Sequence, residues 1–335
     1  MLNTIKYSFI IPVFNRPDEI YELLESFCNL DFVDDFEIVI IEDGSTIKCN
    51  DIVSFFNSKL DISYHYKKNS GPGSSRNFGM KIAKGNYFII LDSDCILPSH
   101  YLKTVNQFLE TEFYHCFGGA DTSDSSFSSI QQAINYTMTS LLSTGGIRGN
   151  KKSIQKFEPR SFNMGLSKEV FNKTTGFSNI HPGEDPDLSY RILELNYQTV
   201  FIPNAFVYHK RRISWSKFYL QISKFGLVRP ILNKWHPKSA KFTFWLPTIF
   251  ILFSFCSVFL GIYYNSLFFV PLLSYLFLIV ADSTLKNKSL LVGLYSLIAL
   301  FIQFTAYGLS FLKSTFLINF LKRDPEKQFP KLFFK

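Results

Sequence analysis

Tyr87-Phe88-Ile89-Ile90-Leu91-Asp92-Ser93-Asp94 runs from five apolar residues straight into an acidic turn. A short, uninterrupted apolar run of this kind marks a strand buried on both faces of a parallel sheet. Tyr7–Val13 is an earlier apolar run of the same kind, and Phe36–Ile41 and Ile62–Tyr66 read as two further strands. Between them lie segments with apolar residues at helical spacing, Asp18–Leu30 (Ile20, Leu23, Leu24, Phe27), Asp51–Leu60 and Ser75–Ala83. Strands separated by helices predict an α/β fold built on a mostly parallel, doubly wound sheet, which binds ligands beyond the carboxyl ends of its strands. Asn15-Arg16, Glu42-Asp43 and Asp92-Ser93-Asp94 all fall at those ends.

Beyond Pro98 the pattern predicts helices over Tyr101–Glu112, Lys168–Thr174 and Asp187–Leu195, and strands over Cys116–Ala120 and Val200–Tyr208. Ser123–Ser129 and Leu142–Lys156 read as loops, the second placed near an acceptor. Five cysteines, odd in number and without a C-x-x-C pair, read as reduced thiols.

The last third differs in kind. Phe242–Ala281 and Ser289–Leu312 contain 40 and 24 residues without a charge. A bilayer core takes about 20 apolar helical residues, so there is room for three crossings. Buried helices of a soluble protein would show a polar face, and none is visible here. Residues 1–209 carry 18 Lys/Arg against 24 Asp/Glu, whereas residues 210–335 carry 17 against 3. Lys210–Lys241 alone holds nine basic residues and no acidic one, flush against the first apolar run. That placement favours membrane lipid over nucleic acid as partner, and marks the cytoplasmic side of the membrane. Within it, Trp215, Phe218, Tyr219, Ile222, Phe225 and Leu232 stand near helical spacing, as in an interfacial helix; a solvated basic face is the alternative. The expected division is a catalytic domain over 1–212, an interfacial segment over 213–241, a membrane domain over 242–320 and a basic tail over 321–335. Three spans and a basic tail favour opposite sides for that tail, so topology stays open.

Three polar constellations carry the chemistry. Asp92 and Asp94, at i and i+2 on a turn, suit a hard divalent cation, Mg²⁺ or Mn²⁺, shared with phosphate oxygens, though such pairs also arise in plain turns. In His181-Pro182-Gly183-Glu184-Asp185-Pro186-Asp187-Leu188, helix capping accounts for Asp187 but leaves Glu184-Asp185 over. A carboxylate there can serve as general base on a hydroxyl. His209, at the end of the late strand, is a structural residue or a further metal ligand.

Taken in order, Ser8–Arg16 (SFIIPVFNR), Glu37–Ser45 (EIVIIEDGS), Gly71–Gly79 (GPGSSRNFG), Asp92–Asp94 (DSD), Asn163–Phe177 (NMGLSKEVFNKTTGF) and Gly183–Arg191 (GEDPDLSYR) resemble the motifs of family 2 glycosyltransferases. The resemblance covers roughly residues 5 to 210 and implies an inverting enzyme of the GT-A fold. It implies that Pro12, Phe14 and Asp43 line the nucleotide, with Arg16 among the donor-binding residues. Arg76 would steady the donor and Asp92 face the sugar nucleotide. Asp94 and His209, with Asp92, would hold the cation, and Asp185 would be the catalytic base. Glu42 and Ser75 depart from the family's more usual Asp and Ala. The expected activity moves one sugar, from a UDP-sugar by preference, to a hydroxyl of a lipid-linked glycan in surface polysaccharide assembly. A polyprenyl-phosphate acceptor needs no base, which Glu184-Asp185 argue against. A processive synthase would carry Q-x-x-R-W where this chain has Gln221-Ile222-Ser223-Lys224-Phe225. A catalytically dead sugar- or lipid-binding membrane protein would have no use for every acidic motif residue.

Overall fold

The computed structural model describes residues 5–32, 34–122, 127–144, 157–209 and 214–334. They form two compact units, one from the described residues of 1–124, 151–210 and 333–335, the other from those of 125–150 and 211–332.

In the first unit, β1 (Tyr7–Val13), β2 (Phe36–Asp43), β3 (Ile62–Lys67) and β4 (Tyr87–Leu91) are parallel, and α1 (Pro17–Cys28), α2 (Asn50–Phe56) and α3 (Pro72–Ile82) connect them. After β5 (Cys95–Ile96) and α4 (Tyr101–Thr111) come β6 (Cys116–Thr122), β7 (Asn163–Ser167), α7 (Lys168–Thr174), α8 (Glu184–Glu194) and β8 (Thr199–His209). The strand order is β3-β2-β1-β4-β7-β6-β8-β5. Successive strand residues point to opposite faces. Phe9, Ile11 and Val13 therefore pack with Leu23, Leu24, Tyr101 and Leu102 on one side, and Ile10 packs with Ile41, Met80, Ile90 and Leu188 on the other. Each such side chain, fully buried, contributes about 1.5–3 kcal/mol.

The sheet is mixed, where the sequence pattern pointed to a mostly parallel one. β7 runs antiparallel to both β4 and β6, and β5 antiparallel to β8. Asn163 fastens this half: buried, it donates to the Ala205 and Ala120 carbonyls and accepts from the Tyr101 hydroxyl. Because β2 and β3 lie to one side of β1 and β4 to the other, the winding reverses between β1 and β4. A crevice opens at such a reversal, beyond the strands' carboxyl ends.

The second unit holds α5 (Ser129–Thr139), the short α6 (Leu141–Thr144), α9 (Trp215–Trp235), α10 (Leu246–Tyr263), α11 (Val270–Asn287) and α12 (Leu290–Ser314). Helix α5 follows the expected Ser123–Ser129 loop, over a stretch to which the sequence pattern assigned no element, and a capping box between Ser128 and Gln131 starts it. Of the expected loop over Leu142–Lys156, residues 145–156 lie outside the described residues. Three helical stretches, of 22, 22 and 31 residues, are long and apolar enough to cross a membrane: Phe242–Tyr263, Ser266–Asn287 and Leu290–Phe320. Their contacts use small and polar groups, as helices in lipid do. Ser283 and Ser296 hydrogen-bond between α11 and α12, and Thr248 on α10 donates to the Gly308 carbonyl. Helix α9 packs along α12, with Phe218 and Ile222 in one apolar cluster with Ala299 and Ala306. At Gly226 a Cβ would come within 2.5 Å of the Tyr307 carbonyl.

Candidate active site

The acidic turn after β4 meets basic residues from two directions. Arg76, on α3, is buried, and its guanidinium donates to Asp92 Oδ1 at 2.8 Å and to Glu184 Oε1 at 3.2 Å. The Phe177 ring lies 5.3 Å from the guanidinium carbon. Burial opposes the charge on Arg76, but Asp92, Glu184 and Asp185 outweigh it and keep the group more basic than usual. Arg16, just past β1, reaches Asp94 Oδ2 at 2.6 Å. The two arginines thus hold the two carboxylates of the turn at the crevice.

Helix α8 was expected to begin at Asp187 but begins at Glu184, so Glu184 and Asp185 occupy its first turn at the positive helix end. Glu184 is buried with His181 Nδ1 at 3.0 Å. Burial alone would raise its pKa, yet the bond and charge of His181 and the charge of Arg76 bring it to about 2. Asp185 behaves in the opposite way. Burial first, and then the charge of Glu184, push its carboxyl up to about 6, while Arg76, Arg160 and Ser161 pull against them. Its Oδ1 is enclosed and has no hydrogen-bond partner. One carboxylate is locked as an anion in an ion pair, and its neighbour is held ready to take a proton.

A second group of residues shapes the turns that follow β1 and β2. Asp43, at the end of β2, accepts from Lys67 Nζ at 2.5 Å and from the backbone N–H groups of Ser70 and Gly71 at 3.0 and 2.9 Å. Asn15 takes a positive φ of 55°, and its Oδ1 accepts from the N–H groups of Thr46 and Ile47. Glu42, where Asp is the more usual residue, gathers Ser45, Cys49 and Tyr64 onto its carboxylate and so shapes the turn instead of facing a ligand. Phe14 is half-exposed at the end of β1, and Pro12 lies within that strand.

Of the residues singled out in the sequence, Arg76 pairs with Asp92 and Arg16 with Asp94 on the same turn, Asp185 follows Arg76's other partner Glu184, and Asp43, Pro12 and Phe14 lie in or at the ends of β2 and β1. His209 pairs with Cys95 in the β5–β8 ladder, one residue along from Asp94, and its side chain lies outside the described residues. Among the described residues no three His, Cys, Asp or Glu side chains converge on a metal position. Lys67, His181, Arg160 and Ser161 were not given roles in the sequence. Lys67 stands one residue past the expected end of the third strand, opposite Asp43 in the ladder.

A profile of the family described as glycosyl transferase family 2 matches residues 8–175. The chain belongs to that family. An uncharacterized glycosyltransferase of Rickettsia bellii is 37% identical over 110 residues, 33% of this chain and 16% of that protein. The poly(ribitol-phosphate) β-N-acetylglucosaminyltransferase TarS of Staphylococcus aureus is 34% identical over 109 residues, 32% of this chain and 19% of TarS. The chain therefore covers less than a fifth of either relative's length. The crystal structure of TarS 1–349 with UDP-GlcNAc superimposes with a TM-score of 0.51 at 18% identity, covering 92% of this chain and 91% of that one. Mannosyltransferase PcManGT of Pyrobaculum calidifontis, with GDP-Man and Mn²⁺, gives 0.57 at 13% identity, covering 96% and 89%. These two likenesses speak to the fold, and the protein is a family 2 glycosyltransferase with a GT-A-like catalytic unit.

Arg76 is the group this glycosyltransferase site should tolerate losing least. Arg76→Met leaves the buried Glu184 carboxylate with His181 as its remaining partner and should cost about 3–5 kcal/mol of stability, read from thermal or denaturant unfolding. Adding Glu184→Gln should recover much of that stability without restoring transfer.

Proposed function

We propose that this glycosyltransferase moves a single sugar, with inversion, from a UDP-sugar to a hydroxyl of a lipid-linked glycan at the cytoplasmic face of a membrane. The observation that carries the reading is Asp185: a carboxylate raised to about 6, with an enclosed and unpartnered Oδ1, beside the arginine that holds Asp92. A base poised near the working pH is what deprotonation of a sugar hydroxyl asks for.

Asp185 takes the proton of the acceptor hydroxyl as its oxygen attacks the anomeric carbon, and the bond to the nucleoside diphosphate breaks on the opposite face. Glu184 stays anionic, keeps Arg76 in place and raises the basicity of Asp185. Arg76 orients Asp92 toward the donor, and Asp43, fixed by Lys67 and two backbone N–H groups, forms a rigid wall for the nucleotide with Pro12 and Phe14. Asp92 and Asp94 are hard oxygen donors two residues apart on one turn, a donor set that fits Mg²⁺ or Mn²⁺, with His209 as the further ligand. Such a cation supplies neutralisation of the negative charge on the departing diphosphate.

The preference for UDP rests on the family resemblance and on a structural neighbour that binds UDP-GlcNAc; another neighbour binds GDP-Man. The lipid-linked acceptor and the cytoplasmic side rest on the three apolar helices and the basic run Lys210–Lys241 ahead of them.

Nucleoside-diphosphate release, measured over a panel of nucleotide sugars, should be fastest with a UDP-sugar. Because Asp185 must be anionic to act, kcat/KM should be flat above pH about 6 and fall about tenfold per unit below it. A rate that rises as the pH drops would contradict the base assignment. Chelation with EDTA should weaken donor binding and Mn²⁺ or Mg²⁺ should restore it; binding indifferent to EDTA would remove the cation from the reading.

A further inference from the structure

Phe333 and Phe334 belong to the catalytic unit, which the chain otherwise leaves at residue 210. Phe333 forms an antiparallel bridge with Ile180, and the Phe334 N–H donates to the Asn179 carbonyl at 3.0 Å. This bridge places Phe333 and Phe334 along Asn179–His181, the approach to the helix turn that carries Glu184 and Asp185. Phe333 is buried, and the Phe334 ring centre stands 5.9 Å from that of His181.

The same ring covers the other side of the site. Gly71 has a φ of +87°, and a Cβ there would lie 2.4 Å from Phe334 Cγ and Cδ2, so the aromatic face rests on the glycine backbone. The Gly71 N–H is one of the donors that fix Asp43. On the opposite side His181 holds Glu184, Glu184 holds Arg76, and Arg76 holds Asp92. One ring therefore bears on both the loop that fixes the nucleotide wall and the loop that fixes the base.

We propose that Phe334, seated by Phe333, is a positioning residue that clasps the Gly71 loop to the His181–Asp185 loop and so sets the distance between donor and general base. It rests on the assignment of Asp43 to the donor side and Asp185 to the base. Phe334 touches neither reacting group; it acts through Gly71 and His181. Aromatic burial over a glycine suits that task, because the two-torsion ring is stiff and the glycine lets it approach the backbone.

The test compares the full-length, membrane-extracted enzyme with its Phe334→Ala, Phe334→Leu, His181→Ala and Phe334→Ala/His181→Ala variants, using the best donor from the panel. Phe334→Ala should lower kcat about tenfold to a hundredfold, the scale on which a misplacement of about 1 Å acts. It should also raise the donor KM, since the Gly71 loop loosens as well. Phe334→Leu, which refills much of the space, should recover most of both parameters and guards against a variant that fails to fold. The double variant should lose less than the product of the two single losses, because both substitutions remove the Phe334–His181 contact while each also removes one of its own, to Gly71 or to Glu184. Parent values of kcat and KM in folded Phe334→Ala, or losses that multiply in the double variant, would overturn the clasp. Full activity in an Asp185→Asn enzyme would instead overturn the base assignment and leave the Phe334 result standing, so the two failures are distinguishable.

Discussion

The site depends on one buried cation. Arg76 stands on α3, between the β4 turn and the start of α8, and closes ion pairs to both. A guanidinium is planar, always charged and presents its N–H groups in a fixed fork, so separate nitrogens of Arg76 reach the two carboxylates. Burying it is costly, so the acidic partners are as necessary to the fold as Arg76 is to them. This mutual need links an ordinary parallel half-sheet to a helix that begins almost a hundred residues further on.

The same linkage divides labour between adjacent carboxylates. Glu184 takes the ion pair and the His181 contact and stays charged, and its charge, with burial, raises Asp185. Two acids side by side on one helix turn thus acquire opposite roles from their surroundings alone. At the end of β2, Asp43 is held rigid by Lys67 and backbone donors, while Glu42 has become part of the scaffold that holds the turn behind it. The catalytic unit is stiff where a donor would lie.

Much of this was legible in the sequence. Of the first four strands, β1, β2 and β4 read as buried, largely apolar runs with polar clusters directly behind them, whereas β3 lies half-buried at the sheet edge. The apolar helices were legible as well, by length alone. β7 was not, since Asn163-Met164-Gly165-Leu166-Ser167 has little strand character of its own and is held by pairing on both sides. Helix α5 was missed, although the capping box that Ser128 and Gln131 form in the structure stands in the sequence as Ser-x-x-Gln. The ion-pair partners of Arg76 were each visible as motif residues, but their meeting depends on long-range packing. Phe334 carried no signal at all, because its contacts at Gly71 and His181 are far away in sequence.

The most direct test of the account separates binding from transfer at Asp185. Asp185→Asn keeps the shape of the side chain and removes its capacity to accept a proton. Nucleotide-sugar binding by calorimetry should stay close to the parent while transfer is abolished. Transfer at the parent rate in that variant would contradict the assignment of Asp185 as the base, and with it the reading of Glu184 and Arg76 as the groups that tune it.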